Sequence, residues 1–257
     1  MKKINKILLT IALALTASFS LAEKTLKIGI EGAYPPFSQV NTQGEVVGFD
    51  IDIAKALCAE MKRKCELVQL EWDGLIPALK GRKIDAIIAS MSATEERKKS
   101  IDFTDRYYRI PARAVRKKGM DFSFDAEGLK GKTIGVQTSS TFDKQMTDLF
   151  AKVADIKRYN SNDEVFLDLR AGRLDVAVAS ALVIQRGFLD KDGGDFEFFG
   201  PLLTDEKYYG EGTAVGIRKN QEQLKLAFNA AIKAIRSNGV YKKINDQYFD
   251  FDVYGGE

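Results

Sequence analysis

Residues 87–97 read IIASMSATEER. An apolar run typical of a buried strand ends in Ser90, Ser92 and Thr94, and Arg97 follows three residues later. Hydroxyls, backbone N–H groups at a helix start and a guanidinium can together bind a small carboxylate, to which arginine donates from two nitrogens. The segment also has the pattern of an ordinary capped helix start. Taken alone, it leaves both interpretations open.

A second segment of the same kind favours a binding site. Residues 133–144 read TIGVQTSSTFDK, in which a strand pattern runs into four hydroxyls and then a helix beginning near Phe142. RLDVAVAS (173–180) also echoes KIDAIIAS (83–90), and TIGVQT (133–138) echoes KIGIEG (27–32). These echoes predict two similar lobes, although similar buried strands can also match by chance. One hydroxyl-rich strand end per lobe can hold a small polar ligand from both sides.

Short apolar strands alternate with amphipathic helices, which is the pattern of an α/β protein with largely parallel sheets. We predict strands at 25–30, 65–70 and 84–90 and helices at 49–61 and 72–83, with Asp50 favoured by the helix dipole near the start of the first helix. Ligands bind such sheets at the carboxyl ends of the strands. A helix at 221–237 and the segment 241–249 remain to pack on the first lobe. The chain is therefore expected to cross between the lobes twice, near 107–119 and after 205–220.

Residues 1–22 have the pattern of a cleaved secretory signal, with Lys2, Lys3 and Lys6 before the apolar run ILLTIALALTASFSLA. We predict cleavage after Ala22 and a periplasmic protein. A membrane-anchored form is the alternative, but no cysteine lies at the cleavage point to carry a lipid. Removal of the signal takes 39 basic residues to 36, which equals the number of acidic residues. A nucleic-acid partner is therefore not expected.

The two cysteines, Cys58 and Cys65, lie in the exported part, where disulfides persist. A short bridge between them could join the end of a helix to the next strand. The chain has no histidine, and two cysteines cannot complete a tetrahedral zinc site. We therefore expect no metal and no cofactor.

The segment EGAYPPF (31–37) places Glu31, Tyr34 and Phe37 after the first strand, on the same side of the cleft as Ser90. Aromatic faces beside a carboxylate suit a cationic ligand side chain, and Trp72 is a further candidate ring. The alternative is that these rings belong to the core.

Six segments follow one another along nearly all of residues 25–256: IGIEGAYPPF, GFDIDIAKALC, WDGLIPALKGRKIDAIIASMSATEER, IDFTDRYY, AGRLDVAVAS and YFDFDVYG. In these segments the chain resembles the periplasmic polar-amino-acid-binding proteins of ABC importers, and within them the lysine/arginine/ornithine and histidine branch. The resemblance implies a two-lobed periplasmic-binding-protein fold in which each lobe is a mostly parallel sheet flanked by helices, joined by a two-strand hinge. Lobe 1 would comprise 23–112 and 206–257, and lobe 2 would comprise 113–205.

The resemblance also implies a function without chemistry. A monomer would capture a cationic amino acid in the cleft, close around it and present it to an inner-membrane permease. Arg97 would bind the α-carboxylate, Tyr34 and Trp72 would sandwich the side chain, and Glu31 would stand where the family usually has aspartate. A disulfide between Cys58 and Cys65 is implied as well. The implied ligand-binding set is Glu31, Tyr34, Trp72, Ser90, Met91, Ser92, Arg97, Gln137, Ser140, Thr141 and Ser180.

One departure from the family, at Ser180, bears on which ligand can bind. Ser180 stands where the resemblance places an aspartate that pairs with the ligand α-ammonium, and Gln137 stands where the family is often apolar. Either Glu31 and carbonyl groups compensate, or the ligand has a substituted amine, as in an arginine-derived opine such as octopine. An enzyme of this fold, such as a dehydratase or cell-wall lyase, needs an acid or base over its substrate, and Glu31 is the one candidate. A receptor sensor domain would need a membrane span joined to a signalling module.

Overall fold

The computed structural model describes residues 25–191 and 194–255. The predicted signal at 1–22 and its cleavage after Ala22 lie outside the described residues. Within them, no helix combines the length and the apolar character that a membrane span requires.

The described residues form short strands and helices that alternate along most of the chain. The strands are β1 (Leu26–Ile30), β2 (Ala33–Tyr34), β3 (Ser38–Val40), β4 (Val46–Val47), β5 (Cys65–Gln69), β6 (Ala86–Ile87), β7 (Asp102–Tyr108), β8 (Ala112–Lys117), β9 (Thr133–Gln137), β10 (Asp155–Tyr159), β11 (Val176–Ser180), β12 (Phe196–Leu203) and β13 (Thr213–Ile217). The helices are α1 (Phe49–Glu60), α2 (Leu75–Lys80), α3 (Glu95–Lys98), α4 (Thr141–Phe150), α5 (Asn162–Arg170), α6 (Ala181–Gly187), α7 (Glu206–Tyr209), α8 (Glu222–Ser237) and α9 (Val240–Tyr248).

Two five-stranded sheets form the framework, and they confirm the predicted two-lobed α/β fold. Their strand orders are β5-β1-β6-β13-β7 and β10-β9-β11-β8-β12. In the first sheet β1 pairs in parallel with β5 and β6, and β13 is antiparallel to both its neighbours. In the second, β9 pairs in parallel with β10 and β11, and β8 is the antiparallel strand. Each sheet is thus mostly parallel, with one reversed strand.

The chain passes between the sheets twice, between β7 and β8 and again between β12 and β13. These passages lie within or beside the segments where the sequence predicts a crossing. The lobe boundaries at 112/113 and 205/206 stay a prediction, which this strand arrangement supports.

Burial explains why β11, the central strand of the second sheet, is almost entirely apolar. All five residues of β11, VAVAS, are buried, as expected for a strand covered on both faces. On α8 the buried residues Phe228, Ala231, Ile232 and Ile235 recur at helical spacing, and the opposite face is polar.

Two predicted elements are shorter in the structure. The helix predicted at 72–83 is a 3₁₀ turn at Trp72–Gly74 followed by α2. Pro77 fits there because the first turn of a helix does not use its N–H groups in intrahelical bonds. The strand predicted at 84–90 is reduced to β6, Ala86–Ile87.

The disulfide between Cys58 and Cys65 is present, with the two Cα atoms 6.2 Å apart. It joins the last turn of α1 to the first residue of β5. Because β1 and β5 are parallel, this bridge lies at the end of the sheet opposite the carboxyl ends of the strands. The predicted corner bridge is confirmed.

Candidate functional site

A cavity lies between the two lobes, with residues of both sheets around it. The empty space between the lining side chains, including its mouth, is about 480 Å³. Ten of the eleven predicted ligand-binding residues line it: Glu31, Tyr34, Trp72, Ser90, Ser92, Arg97, Gln137, Ser140, Thr141 and Ser180. The eleventh, Met91, is 1% exposed, and its side chain packs in a hydrophobic cluster with Trp72 and Ile101. The structure therefore places Met91 behind the cavity wall.

Arg97 reaches the cavity from α3, which is only four residues long. Thr94 caps this helix, and its Oγ1 accepts a hydrogen bond of 3.2 Å from the Arg97 backbone N–H. The Arg97 guanidinium donates to the carbonyl of Ser92 at 3.1 Å and, across the cleft, to the carbonyl of Ser139 at 3.3 Å. The two interpretations of this segment are therefore compatible, since the cap positions the candidate anion-binding residue.

The charge of Arg97 is not neutralised within the described part of the chain, where no carboxylate forms an ion pair with it. Burial lowers the pKa of this guanidinium to about 10. It is still protonated at neutral pH. A half-buried cation held only by carbonyl oxygens is suited to bind an anion from outside the protein.

A matching turn lies in the second lobe. Ser140 caps α4, and its Oγ accepts from the backbone N–H of Asp143 at 3.0 Å. Ser139, just before this cap, and Ser90, at the end of the first-lobe strand, both have a φ of +56°. Non-glycine residues rarely adopt this left-handed conformation, and where they do so it often marks a functional site. Each lobe therefore turns its chain sharply toward the cavity at a serine.

The hydroxyl of Ser90 is directed into the protein. It donates to Oδ2 of Asp50 at 2.7 Å, and the hydroxyl of Tyr107 donates to Oδ1 of the same carboxyl group at 2.8 Å. Burial raises the pKa of Asp50 to about 7, against the effect of these two hydrogen bonds. Ser90 gives its one hydroxyl hydrogen to Asp50, and its backbone N–H also acts on that carboxyl group, so Ser90 supports Asp50 rather than an anion in the cavity.

Glu31 lies at the end of β1 and is 4% exposed. Its Oε1 accepts a hydrogen bond of 2.7 Å from Nε2 of Gln137, which is the last residue of β9 in the other lobe. Its Oε2 is buried and has no hydrogen-bond partner. Burial raises the pKa of Glu31 to about 7, and the nearby carboxylates Glu71 and Asp50 add to this increase. The site therefore has a buried acid that a cation would stabilise in its charged form.

Of the three aromatic residues proposed for the site, two line the cavity and one is buried in the core. Tyr34 and Trp72 line the cavity, although each is less than 9% exposed. Phe37 is fully buried and stacks on Tyr108, with ring centroids 4.7 Å apart. The core interpretation is thus correct for Phe37, and the other two rings remain candidates for contact with a ligand.

Ser180 is the last residue of β11 and precedes α6. It is 7% exposed, and its buried Oγ interacts with the phenol of Tyr34 without forming a well-aligned hydrogen bond. A buried hydroxyl with an incomplete hydrogen bond is unfavourable in the protein alone, and a polar ligand group would satisfy it.

Several cavity residues were missed by the sequence reasoning. They are Ala89, Tyr108, Ile110, Phe142, Tyr209 and Thr213. Tyr108 and Ile110 lie at the first crossing between the sheets, and Tyr209 and Thr213 lie at the second. The two predicted crossings were the available signal, because a hinge between two lobes borders the cleft that the lobes form. Within residues 25–191 and 194–255, no cluster of three or more acidic, cysteine or histidine side chains could hold a metal ion.

Comparison with known proteins agrees with this geometry. The family profile of bacterial extracellular solute-binding proteins, family 3, matches residues 26–251. An L-arginine-binding protein of Pseudomonas aeruginosa is 52% identical over 236 residues, which cover 91% of each chain. A lysine/arginine/ornithine-binding periplasmic protein of Escherichia coli is 40% identical, covering 99% of both chains. The structure of an ancestral arginine-binding protein bound to arginine superposes with a TM-score of 0.82 at 34% identity, covering 89% of this chain and 99% of the other.

Proposed function

We propose, because this chain belongs to family 3 of the bacterial extracellular solute-binding proteins, that it captures a cationic amino acid of the arginine, lysine or ornithine type. The ligand binds in the cavity between the lobes and is delivered to an ABC permease in the inner membrane. The protein acts as a monomer in the periplasm, after removal of a signal at Ala22. It is a binding protein and not an enzyme, as its family and relatives are.

The observation that carries this proposal is that one cavity contains both a basic and an acidic side chain, neither of which has a partner of opposite charge among the described residues. Arg97 brings a cation without an ion-pair partner, and Glu31 brings a buried carboxyl group whose Oε2 has no hydrogen-bond partner. An amino acid with a cationic side chain has a carboxylate for Arg97 and a second cation for Glu31. The names of the relatives, which bind arginine or lysine, arginine and ornithine, support the same ligand class.

With the ligand held by Arg97 and Glu31, other cavity residues can be assigned to its remaining groups. Backbone N–H groups at the start of α4 assist Arg97 in binding the α-carboxylate, since this end of the helix borders the cavity. Tyr34 and Trp72 contact the side chain, because aromatic faces attract a cation. The Oγ of Ser180 accepts a hydrogen bond from the α-ammonium group.

Closure of the lobes couples these contacts. The hydrogen bonds from Arg97 to Ser139 and from Gln137 to Glu31 each join one lobe to the other. A ligand that contacts both lobes stabilises the closed form over the open form, and closure by hinge motion follows from that difference in affinity.

A second ligand class is supported by Ser180. Its hydroxyl is neutral, so a free α-ammonium lacks the charge-assisted bond that an acid would give there. A substituted amine, as in octopine, loses less at this position. We keep an arginine-derived opine as the second candidate.

Calorimetry with arginine, lysine, ornithine, histidine and octopine tests the proposal. We expect the cationic amino acids to bind, and arginine to bind with a stoichiometry of one. Binding of octopine alone would favour the second candidate, and no binding by any of the five would overturn both.

A further inference from the structure

One hydrogen bond joins the two lobes at the deepest part of the cavity wall. Nε2 of Gln137 donates to Oε1 of Glu31 at 2.7 Å, although 106 positions separate the two residues in the chain. Gln137 is 2% exposed and Glu31 is 4% exposed, so water does not compete for this bond. A bond between a neutral donor and a carboxylate in such surroundings is stronger than one at the surface.

The Gln137 side chain is fixed in this orientation by two further residues of its own lobe. Its Oε1 accepts from Nδ2 of Asn162 at 3.0 Å, and its Nε2 also donates to the carbonyl of Asn160 at 3.2 Å. If the amide were flipped, its oxygen would face Glu31 and the Asn160 carbonyl, both of which are acceptors. The second lobe therefore holds an N–H group ready for Glu31.

We infer that Gln137 is a positioning residue for ligand binding, and that lobe closure brings its amide against Glu31 to keep that carboxylate charged and available for the ligand cation. This inference rests on the proposed function. Both hydrogens of the Gln137 amide are used, by Glu31 and by Asn160, so Gln137 acts through Glu31 and Oε2 of Glu31 remains the acceptor for the ligand.

The other groups around Glu31 favour its neutral form, so a hydrogen bond to its charged form is needed to oppose them. The carboxylates of Glu71, Asp50 and Asp163 all raise its pKa, as burial does, and the Gln137 amide opposes them. The phenol of Tyr34 also lies close enough for the two groups to interact. Without Gln137, closure would place the carboxyl group in a dry and acidic environment that favours its neutral form. A neutral acid would offer the ligand no counter-charge.

The test compares Gln137→Leu with wild type in the mature, full-length protein. Carbon-detected NMR follows the Glu31 carboxyl signal of the arginine-saturated protein, in which the lobes are closed, from pH 3 to pH 9, and calorimetry follows arginine binding from pH 5 to pH 9. We expect the Glu31 midpoint to rise by about one pH unit or more, since a charge-assisted hydrogen bond is lost. Arginine affinity at pH 7 should fall about tenfold, and the difference from wild type should shrink toward pH 9.

Two further variants make the result specific. Gln145→Leu removes another buried glutamine, whose Oε1 accepts from Tyr209, and it should leave the Glu31 midpoint unchanged. Gln137→Met keeps the side-chain length without the donor and serves if Gln137→Leu does not fold.

The outcomes separate the inference from the proposed function. Arginine binding by wild type together with an unmoved Glu31 midpoint in Gln137→Leu or Gln137→Met would overturn the inference alone. A loss of affinity that is the same at pH 7 and pH 9 would also overturn it. If wild type binds no arginine, lysine or ornithine, the proposed function and the inference both fail.

Discussion

The guanidinium carbon of Arg97 lies 5.1 Å from the centre of the Trp72 ring. The two residues come from successive helical segments of the same lobe, and the ring supports the arginine from one side while the carbonyl of Ser92 holds it from another. A guanidinium held over an aromatic ring and by a hydrogen bond to a carbonyl has few positions open to it. Trp72 thus orients the candidate anion site, besides any contact with the ligand side chain.

Replacement of Arg97 by alanine should weaken the binding of arginine by at least about 30-fold. Loss of one partner of a buried, hydrogen-bonded charge pair weakens binding by about 2–5 kcal/mol, which is about 30-fold to several thousand-fold. Calorimetry measures the change. The matched control is Lys98→Ala, because Lys98 is the next cation on α3 and pairs with Glu95 at the surface. Equal affinities in Arg97→Ala and Lys98→Ala would contradict the assignment.

Arginine binding should strengthen as the pH rises through about 7. The pKa of Glu31 is about 7 in the closed cavity before a cation is bound, and a bound cation favours the ionised form, so binding releases a proton below that pH. Affinity should therefore fall by up to about tenfold per pH unit below 7 and level off above it. In Glu31→Gln the affinity should be lower and nearly constant between pH 6 and pH 8. A Glu31→Gln protein with the wild-type pH profile would rule out this carboxyl group.

Replacement of Ser180 by aspartate should improve binding of ligands with a free α-ammonium. The hydroxyl of Ser180 is buried, neutral and without a well-aligned hydrogen bond, and a carboxylate there would form a charge-assisted hydrogen bond worth about 1.5–3 kcal/mol, or about ten- to a hundred-fold in affinity. Octopine, with a substituted amine, should gain less. Calorimetry with arginine and octopine on both proteins gives the comparison, and Ser180→Thr controls for added volume. Unchanged arginine affinity would mean that the α-amino group binds elsewhere.

Opening the disulfide between Cys58 and Cys65 should lower stability and leave binding intact. The bridge closes a loop with a sequence separation of 7, and the chain-entropy relation gives about 2.5 kcal/mol for a loop of this size. Urea unfolding of a Cys58→Ser, Cys65→Ser double variant measures the loss. Arginine affinity should stay within about twofold, because the bridge lies at the far end of the first sheet. A large loss of affinity would contradict this prediction, because it would mean that opening the disulfide changes the geometry of the cleft.

Asp50 should make the folded protein less stable as the pH rises from about 4 to about 7. Its pKa is raised to about 7 by burial, so the folded state keeps a proton that the unfolded chain has released over this range. The free energy of unfolding then decreases with pH, by at most about 1.4 kcal/mol per pH unit. In Asp50→Asn this decrease should be smaller. Urea unfolding at several pH values tests this, and identical slopes in the two proteins would contradict it.

Local patterns in the sequence were sufficient to predict the positions of Arg97 and Ser140. Each lies where an apolar strand gives way to hydroxyls and a helix begins, and such a pattern needs only about ten residues of context. The sequence also showed Asp50 in the first turn of a helix. It could not show that this carboxylate is buried and accepts from Ser90 and Tyr107, which lie 40 and 57 positions further along the chain.

The same limit explains the residues that were missed. Tyr209 and Thr213 reach the cavity only because the chain returns to the first sheet after building the second. Neither has a local pattern that distinguishes it from an ordinary surface or strand residue. The direction of the Ser90 hydroxyl and the cross-lobe bond of Gln137 likewise depend on distant partners.

The position of β13 sets the order in which the two halves can be completed during synthesis. This strand lies between β6 and β7, yet it follows them by about a hundred residues. The second sheet, in contrast, is built from one continuous stretch between Ala112 and Leu203. As the chain leaves the ribosome N-terminus first, the inserted lobe has all its strands while the earlier lobe still has a gap in its middle. The first sheet therefore cannot be completed until Thr213–Ile217 is available, and its closing contacts carry the cost of a long loop.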